Sequence, residues 1–318
     1  MSPHRLVYDV DLEPLLGSTF QPTGFPDLGA ATFDRFTGTT TEPALLVESV
    51  QSMANRLEAT AWDSGTHQPH TAVTGLPHVR VERAGTGEFL TSSRLEAHRL
   101  ASPFVREAIL EGTKMTQVIA QRLGLAKDTP LNFPHMAAAL AAMDPFCLLH
   151  GVFFAHKEWL GQPRFPRATS AVIEARNVRR APSGGRKADR VRHQLDKDGT
   201  GGTSEGYGSV PFHRLEWTAE RIVASFVVDT ALLRSYGLPD PAVAMLETLA
   251  LWEIRSLLTG GLRLRTACDL DLAGDITPRR NTPALPDLDT LTDQLAKHIT
   301  DAADTLGTGE PIVVQWKG

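Results

Sequence analysis

Arg164, Arg167, Arg176, Arg179, Arg180, Arg186, Lys187, Arg190, Arg192 and His193 follow one another in a single stretch relieved only by Glu174 and Asp189. A guanidinium can grip two phosphate oxygens with its planar fork while its face stacks on a base, so such a run can hold a nucleic-acid backbone. It can equally be a solvated basic loop or a counter-charge for acidic surface elsewhere. Pro182, Ser183, Gly184 and Gly185 stand in its midst and predict an extended hairpin or loop.

Four further groups offer donors. In the loop at 17–31, backbone N–H groups around Gly24 and Gly29 could cradle a phosphate or sugar, with Gln21 and Thr23 as added donors and Phe25 as a stacking surface. The alternative is a tight turn with Phe20 and Phe25 in the core. Ser49, Gln51, Ser52, Asn55 and Arg56 form the polar face of a predicted helix, either a row of donors or a solvated face. Arg263 and Arg265 fall on one side of a predicted strand, where they could face RNA or pair with Asp269 and Asp271; His213 and Arg214 carry the same two readings.

Enzyme motifs mostly fail. Gly202, Ser204 and Gly206 match the spacing of a nucleophile elbow, but that motif needs a strand before it and a helix after it, and here a polar glycine-rich loop precedes it. Asp269, Asp271 and Asp275 could hold magnesium or simply end a strand in solvent. His135, His150 and His156 lack helical zinc spacing, and there is neither a Walker A sequence nor a dinucleotide fingerprint.

The elements that would position these groups follow from periodicity. Leu6, Tyr8, Val10 and Leu12 alternate with Val7, Asp9 and Asp11, predicting a half-buried first strand. Glu42 and Pro43 read as the opening of a helix, with Leu46, Val50, Met53, Ala54 and Leu57 on its apolar face and Glu48 and Glu58 among its polar residues. Strands are predicted around 79–81, 168–175, 213–229 with a turn at 218–220, 262–266 and 312–316. Residues 89–161 read as mainly helical, a helix from Pro241 to Thr259 stops at Gly260 and Gly261, and a last helix covers 287–305. This order is compatible with a ferredoxin-like α+β core interrupted by excursions.

The 318 residues, 42% hydrophobic and 22% charged, suit a soluble globular chain. Cys147 and Cys268 form no C-x-x-C pair, which argues against a disulfide framework or zinc finger and suits a reducing cytoplasm. The start lacks the apolar run of a signal peptide, and no window predicts a membrane span. A net charge of −5 does not advertise a nucleic-acid binder, so the distribution of charge carries the argument.

Taken in order, the strings Gly17 to Ala31, Leu45 to Glu58, Gly206 to Arg214, Leu232 to Leu238 and Gly261 to Leu270 resemble the backbone subunit of type I-U (I-G) CRISPR effector complexes, the Cas-seven branch of the RAMP superfamily. The resemblance implies an RNA-recognition-motif-like core at about 1–85 and 205–318, a helical insertion at about 86–165 and a basic thumb-like segment at about 166–204. It implies a non-catalytic subunit that polymerises with copies of itself along crRNA, presents it to target DNA and contacts other effector subunits, with no cofactor and no membrane. It also turns the residues above toward RNA. A metal-dependent ribonuclease using Asp27 or the carboxylates at 269–275 is the rival, since type III backbone subunits cut RNA with an acidic loop residue.

Overall fold

The computed structural model describes residues 3–24, 29–188 and 209–317. Phe25, Asp27, Arg190, Arg192, His193, Ser204 and the glycines at 206 and 208 lie outside them.

Period-two burial builds the main sheet. In β1 (Leu6–Pro14) Leu6, Tyr8, Val10 and Leu12 point into the core, and in β12 (Thr169–Arg176) Thr169, Ala171, Ile173 and Ala175 do the same. Both strands pair antiparallel with β15 (Arg221–Val228), aligning Tyr8, Phe226 and Ala171 in one row. The sheet runs β16 (Leu262–Arg265), β17 (Cys268–Leu272), β1, β15, β12, β3 (Thr40–Glu48), β2 (Thr32–Thr37), with β18 (Thr277–Arg279) also pairing with β1. Helices α1 (Val50–Ala59) and α7 (Asp240–Gly260) cover its apolar face. Gly261, at φ +82°, ends α7 where an L side chain would be strained.

The helix expected from Glu42 and Pro43 does not begin there. Residues 40–48 form β3, with Leu45 and Val47 buried between β2 and β12, and Pro43 pairs with Asp34 on β2. Ser49 starts α1 instead: its hydroxyl accepts the Ser52 N–H at 3.2 Å. Leu46 therefore belongs to the strand, and Val50 is exposed. Glu48 and Glu58, read as solvent-facing, are both buried.

The segment expected to be mainly helical holds α2 (Pro103–Glu107), α3 (Met115–Arg122), α4 (Phe133–Ala141) and α5 (Phe146–His150), but also part of a second sheet. That sheet orders β7 (Phe89–Ser92), β6 (Val79–Arg83), β19 (Ile312–Trp316), β8 (Ile109–Leu110) and β9 (Thr113–Lys114). The chain's last strand thus runs parallel to β6 and closes the insertion rather than the main sheet. Two short ladders, β4 (Trp62–Asp63) with β5 (Gln68–Pro69) and β10 (Val152–Phe153) with β11 (Arg164–Phe165), lie outside both sheets. α6 (Thr230–Ser235), α8 (Leu288–Asp301) and α9 (Ala303–Leu306) complete the α-helices among the described residues. The basic segment becomes a two-stranded hairpin of β13 (Arg179–Ala188) and β14 (Ser209–Thr218); Thr169 to Arg176, expected in the same excursion, lies inside the main sheet.

Candidate nucleic-acid interface

After β1 the chain is pinned by backbone bonds to three distant elements. Phe20 and Trp217 exchange N–H···O bonds at 3.0 and 2.9 Å, Gln21 N–H reaches the Ala267 carbonyl at 2.7 Å, and Thr23 N–H reaches that of Val47 at 3.0 Å. Phe20 is buried, which fixes the loop as architecture at that point. These bonds seat the loop against the root of the hairpin and beside β16. A recess of about 280 Å³ opens there, lined by Gln21, Gly24, Gly29, His213, Arg214 and Arg265, residues spread over some 240 positions of sequence.

The side chains divide into occupied and available ones. Arg265 Nη1 donates to the Pro22 carbonyl at 3.1 Å, and Gln21 Nε2 reaches the Leu215 carbonyl at 3.4 Å. The Thr23 hydroxyl turns inward, within reach of the Val47 carbonyl at 3.0 Å and the Glu48 carboxylate at 2.7 Å. His213 and Arg214 are exposed, and the Arg214 guanidinium lies 5.0 Å from the Phe212 ring centroid. Arg180 similarly overlies Trp217 at 5.8 Å. Arg179, Arg180 and Arg186 are exposed on β13, and Lys187 stands on the same strand opposite Val210. Arg176 is instead half-buried at the end of β12; burial, with Arg35 and Arg221 nearby, pulls its pKa below the usual arginine value.

The polar face of α1 splits into two flanks. On one, Arg56 clasps the core: Nε donates to buried Glu48 at 2.8 Å, Nη2 to the Leu264 carbonyl at 2.8 Å and Nη1 to the Arg263 carbonyl at 3.4 Å. Ser49 is spent on the cap and Ser52 is half-buried. Arg263 itself is exposed, and neither it nor Arg265 lies within ion-pair distance of Asp269 or Asp271. On the other flank, exposed Gln51 and Asn55 face a separate recess with Phe153, Arg164 and Arg167. Sequence reasoning grouped those two arginines with the hairpin and missed Phe153, because nothing local brings β10, β11 and α1 together.

Behind that flank the core holds ionisable groups. Arg99 grips Glu58, and His150 Nε2 lies 2.9 and 3.0 Å from the two oxygens of Glu253. Burial pushes the Glu253 carboxyl well above its usual range and lowers His150 to about 4, which favours a neutral pair. Asp144 accepts from Ser93 at 2.5 Å. These contacts brace α1, α5 and α7.

The opposite face of the sheet carries a different chemistry. On β1, β12 and β15 the side chains facing away from the helices include Asp9, Asp11 and Glu174 and no aromatic residue, since Tyr8 and Phe226 point inward. Arg221 holds Asp11 at 2.6 and 3.0 Å, and Arg279 holds Asp9 at 2.8 Å. Among the described residues no group of three or more His, Cys, Asp or Glu is placed to hold a metal ion, and no helix is long and apolar enough to cross a membrane. Asp271 accepts the Leu272 N–H at 2.8 Å.

Comparison with known proteins adds a family. The sequence model described as CRISPR-associated protein GSU0053 matches residues 6–180. No curated protein matches the chain. Among solved structures, a chain of a "CRISPR RNA-guided surveillance complex, pre-nicking" aligns over 96% of this chain and 90% of its own at 12% identity and a TM-score of 0.39. Csc2 of Thermofilum pendens aligns over 95% of this chain and 77% of its own at 10% identity and a TM-score of 0.31.

Proposed function

Because the chain belongs to the GSU0053 family of CRISPR-associated proteins, a family of Cas-seven type, we propose that it is the subunit that lines a CRISPR guide RNA and holds it for pairing with target DNA. Copies of the chain would assemble along the crRNA beside other effector subunits in the cytoplasm, without catalysing a reaction. Sequence would be read by base pairing, leaving the protein to grip backbone and shape.

One observation carries this reading: loop, hairpin root and β16, far apart in sequence, close a single recess bearing His213, Arg214 and Arg265. The strand order β17, β1, β15, β12, all antiparallel, with α1 lying between β1 and β12 in the chain and α7 between β15 and β17, supports an RNA-recognition-motif-like core. The outer face of β1, β12 and β15, without aromatic residues and with Asp9 and Asp11 already held by Arg279 and Arg221, argues against stacking RNA on those strands. Contacts then fall to the loop, the hairpin and α1.

The test is protein purified from cells expressing its CRISPR array. Co-purifying RNA of defined length is expected, with binding that tolerates changed spacers and weakens with salt at a log–log slope of about −0.7 per neutralised phosphate. Replacing Arg179, Arg180 and Arg186 together by Gln is expected to leave melting unchanged and impair RNA-dependent assembly. Salt-independent affinity would overturn the proposal, and RNA cleavage requiring magnesium would overturn its non-catalytic part.

A further inference from the structure

The recess on the second flank of α1 has a chemistry of its own. It encloses about 790 Å³, and none of the described residues lining it is acidic. Phe153 on β10 is 49% exposed, unusual for so large an apolar ring. Arg164, its partner across the β10–β11 ladder, sets its guanidinium 5.8 Å from the Phe153 ring centroid. Neither Arg164 nor Arg167 lies within ion-pair distance of a carboxylate among the described residues.

Arg167 is held rather than free to swing. Its Nε donates to the His150 carbonyl at 3.2 Å and its Nη2 to the Gln51 side-chain oxygen. Burial and the neighbouring Arg99, opposed by Glu58, pull its pKa below the usual arginine value. Buried His150 also lines this recess, with its Nδ1 unpartnered. Gly151, at φ +80°, keeps the wall close: a Cβ there would meet the Phe165 carbonyl oxygen at 2.9 Å.

We propose that this recess holds a nucleotide of a single strand, its phosphate between Arg164 and Arg167, its base on Phe153 or the Arg164 plane, and its edge within reach of Asn55. An acidic peptide would be served by the cations alone. The exposed ring beside a guanidinium plane and side-chain amides is the combination that a base uses. The inference rests on the nucleic-acid role proposed above and extends it to residues outside the loop and hairpin. The strand is either guide RNA or target DNA, which share this chemistry.

The experiment measures fluorescence anisotropy of labelled 12-nucleotide RNA and DNA single strands with wild type, Phe153→Ala, Phe153→Trp, Arg164→Gln and, outside the recess, Arg214→Gln. Phe153→Ala is expected to weaken binding about tenfold and Phe153→Trp to retain it. Arg164→Gln should make the salt slope shallower by about 0.7. Loss confined to the RNA probe assigns the recess to the guide, and loss confined to DNA assigns it to the target strand. If Arg214→Gln weakens binding while Phe153→Ala and Arg164→Gln match wild type on both probes, the recess is refuted and the broader role stands. Wild type that binds neither probe overturns both.

Discussion

Arg99 Nε and Nη2 each lie 2.6 Å from an oxygen of Glu58, a two-pronged ion pair sealed in the core. Glu58 projects from α1, and Arg99 stands in the insertion and also donates to the Gly151 carbonyl at 2.9 Å. One guanidinium thus ties the helix that carries Gln51 and Asn55 to the segment that carries Phe153.

Removing one partner leaves the other charge buried. Arg99→Met is expected to lower stability by about 3–5 kcal/mol in urea unfolding, and the double variant with Glu58→Met by less. Burial raises the Glu58 pKa, with Arg99 among the groups opposing the rise; without Arg99 it rises further. A raised folded-state pKa gives stability at low pH that is lost as pH increases, so the Arg99→Met deficit should be larger at pH 8 than at pH 5. A deficit that shrinks with rising pH contradicts this arrangement.

The two glycines expected to form a cradle differ in what the fold asks of them. Gly29 sits at φ +72°, whereas a Cβ on Gly24 would meet only the Gly29 carbonyl oxygen, at an ordinary 3.7 Å. Gly29→Ala should cost about 1 kcal/mol and lower the melting temperature, while Gly24→Ala should melt as wild type does. RNA affinity measured below both melting temperatures separates approach to a phosphate from turn geometry. Weaker binding by folded Gly24→Ala supports a cradle, and unchanged binding reduces the loop to architecture.

His78 is buried against the Trp62 edge, with ring centroids 5.8 Å apart, and its pKa is lowered to about 3 by burial and by Arg94. A depressed pKa gives stability that is present above the unfolded value near 6.5 and lost as pH falls toward about 3. His78→Phe keeps the ring contact and removes the titration. Between pH 7 and pH 5 the variant should lose roughly 2 kcal/mol less than wild type, read from urea midpoints. Parallel curves would show that His78 does not titrate on unfolding.

Much of the framework was legible because burial on one face leaves a local period. The alternation at Leu6 to Leu12, the turn before β15 and the stop of α7 at Gly261 each follow from a few adjacent residues, whereas Pro182 to Gly185, read as the mark of an extended hairpin or loop, lie inside β13 opposite Leu215 to Phe212. The start of α1 was misread because Ala44, Leu45, Leu46 and Val47 form a continuous apolar run, which fits a strand between two neighbours as well as a helix; the pairing with β2 and β12 settles it.

The sequence by itself determined most strands of the main sheet, the helices α7 and α8, the basic stretch and, through the order of its motifs, the family. Tertiary structure alone decided which polar side chains remain available. Thr23 and Arg56 are drawn inward by Glu48, a carboxylate whose burial no local pattern announces, while Gln51, Phe153, Arg164 and Arg167 meet only because α1 and the β10–β11 ladder line one recess. Periodicity records which face of an element is buried. It carries no record of what lies opposite, and a binding surface is made by that juxtaposition.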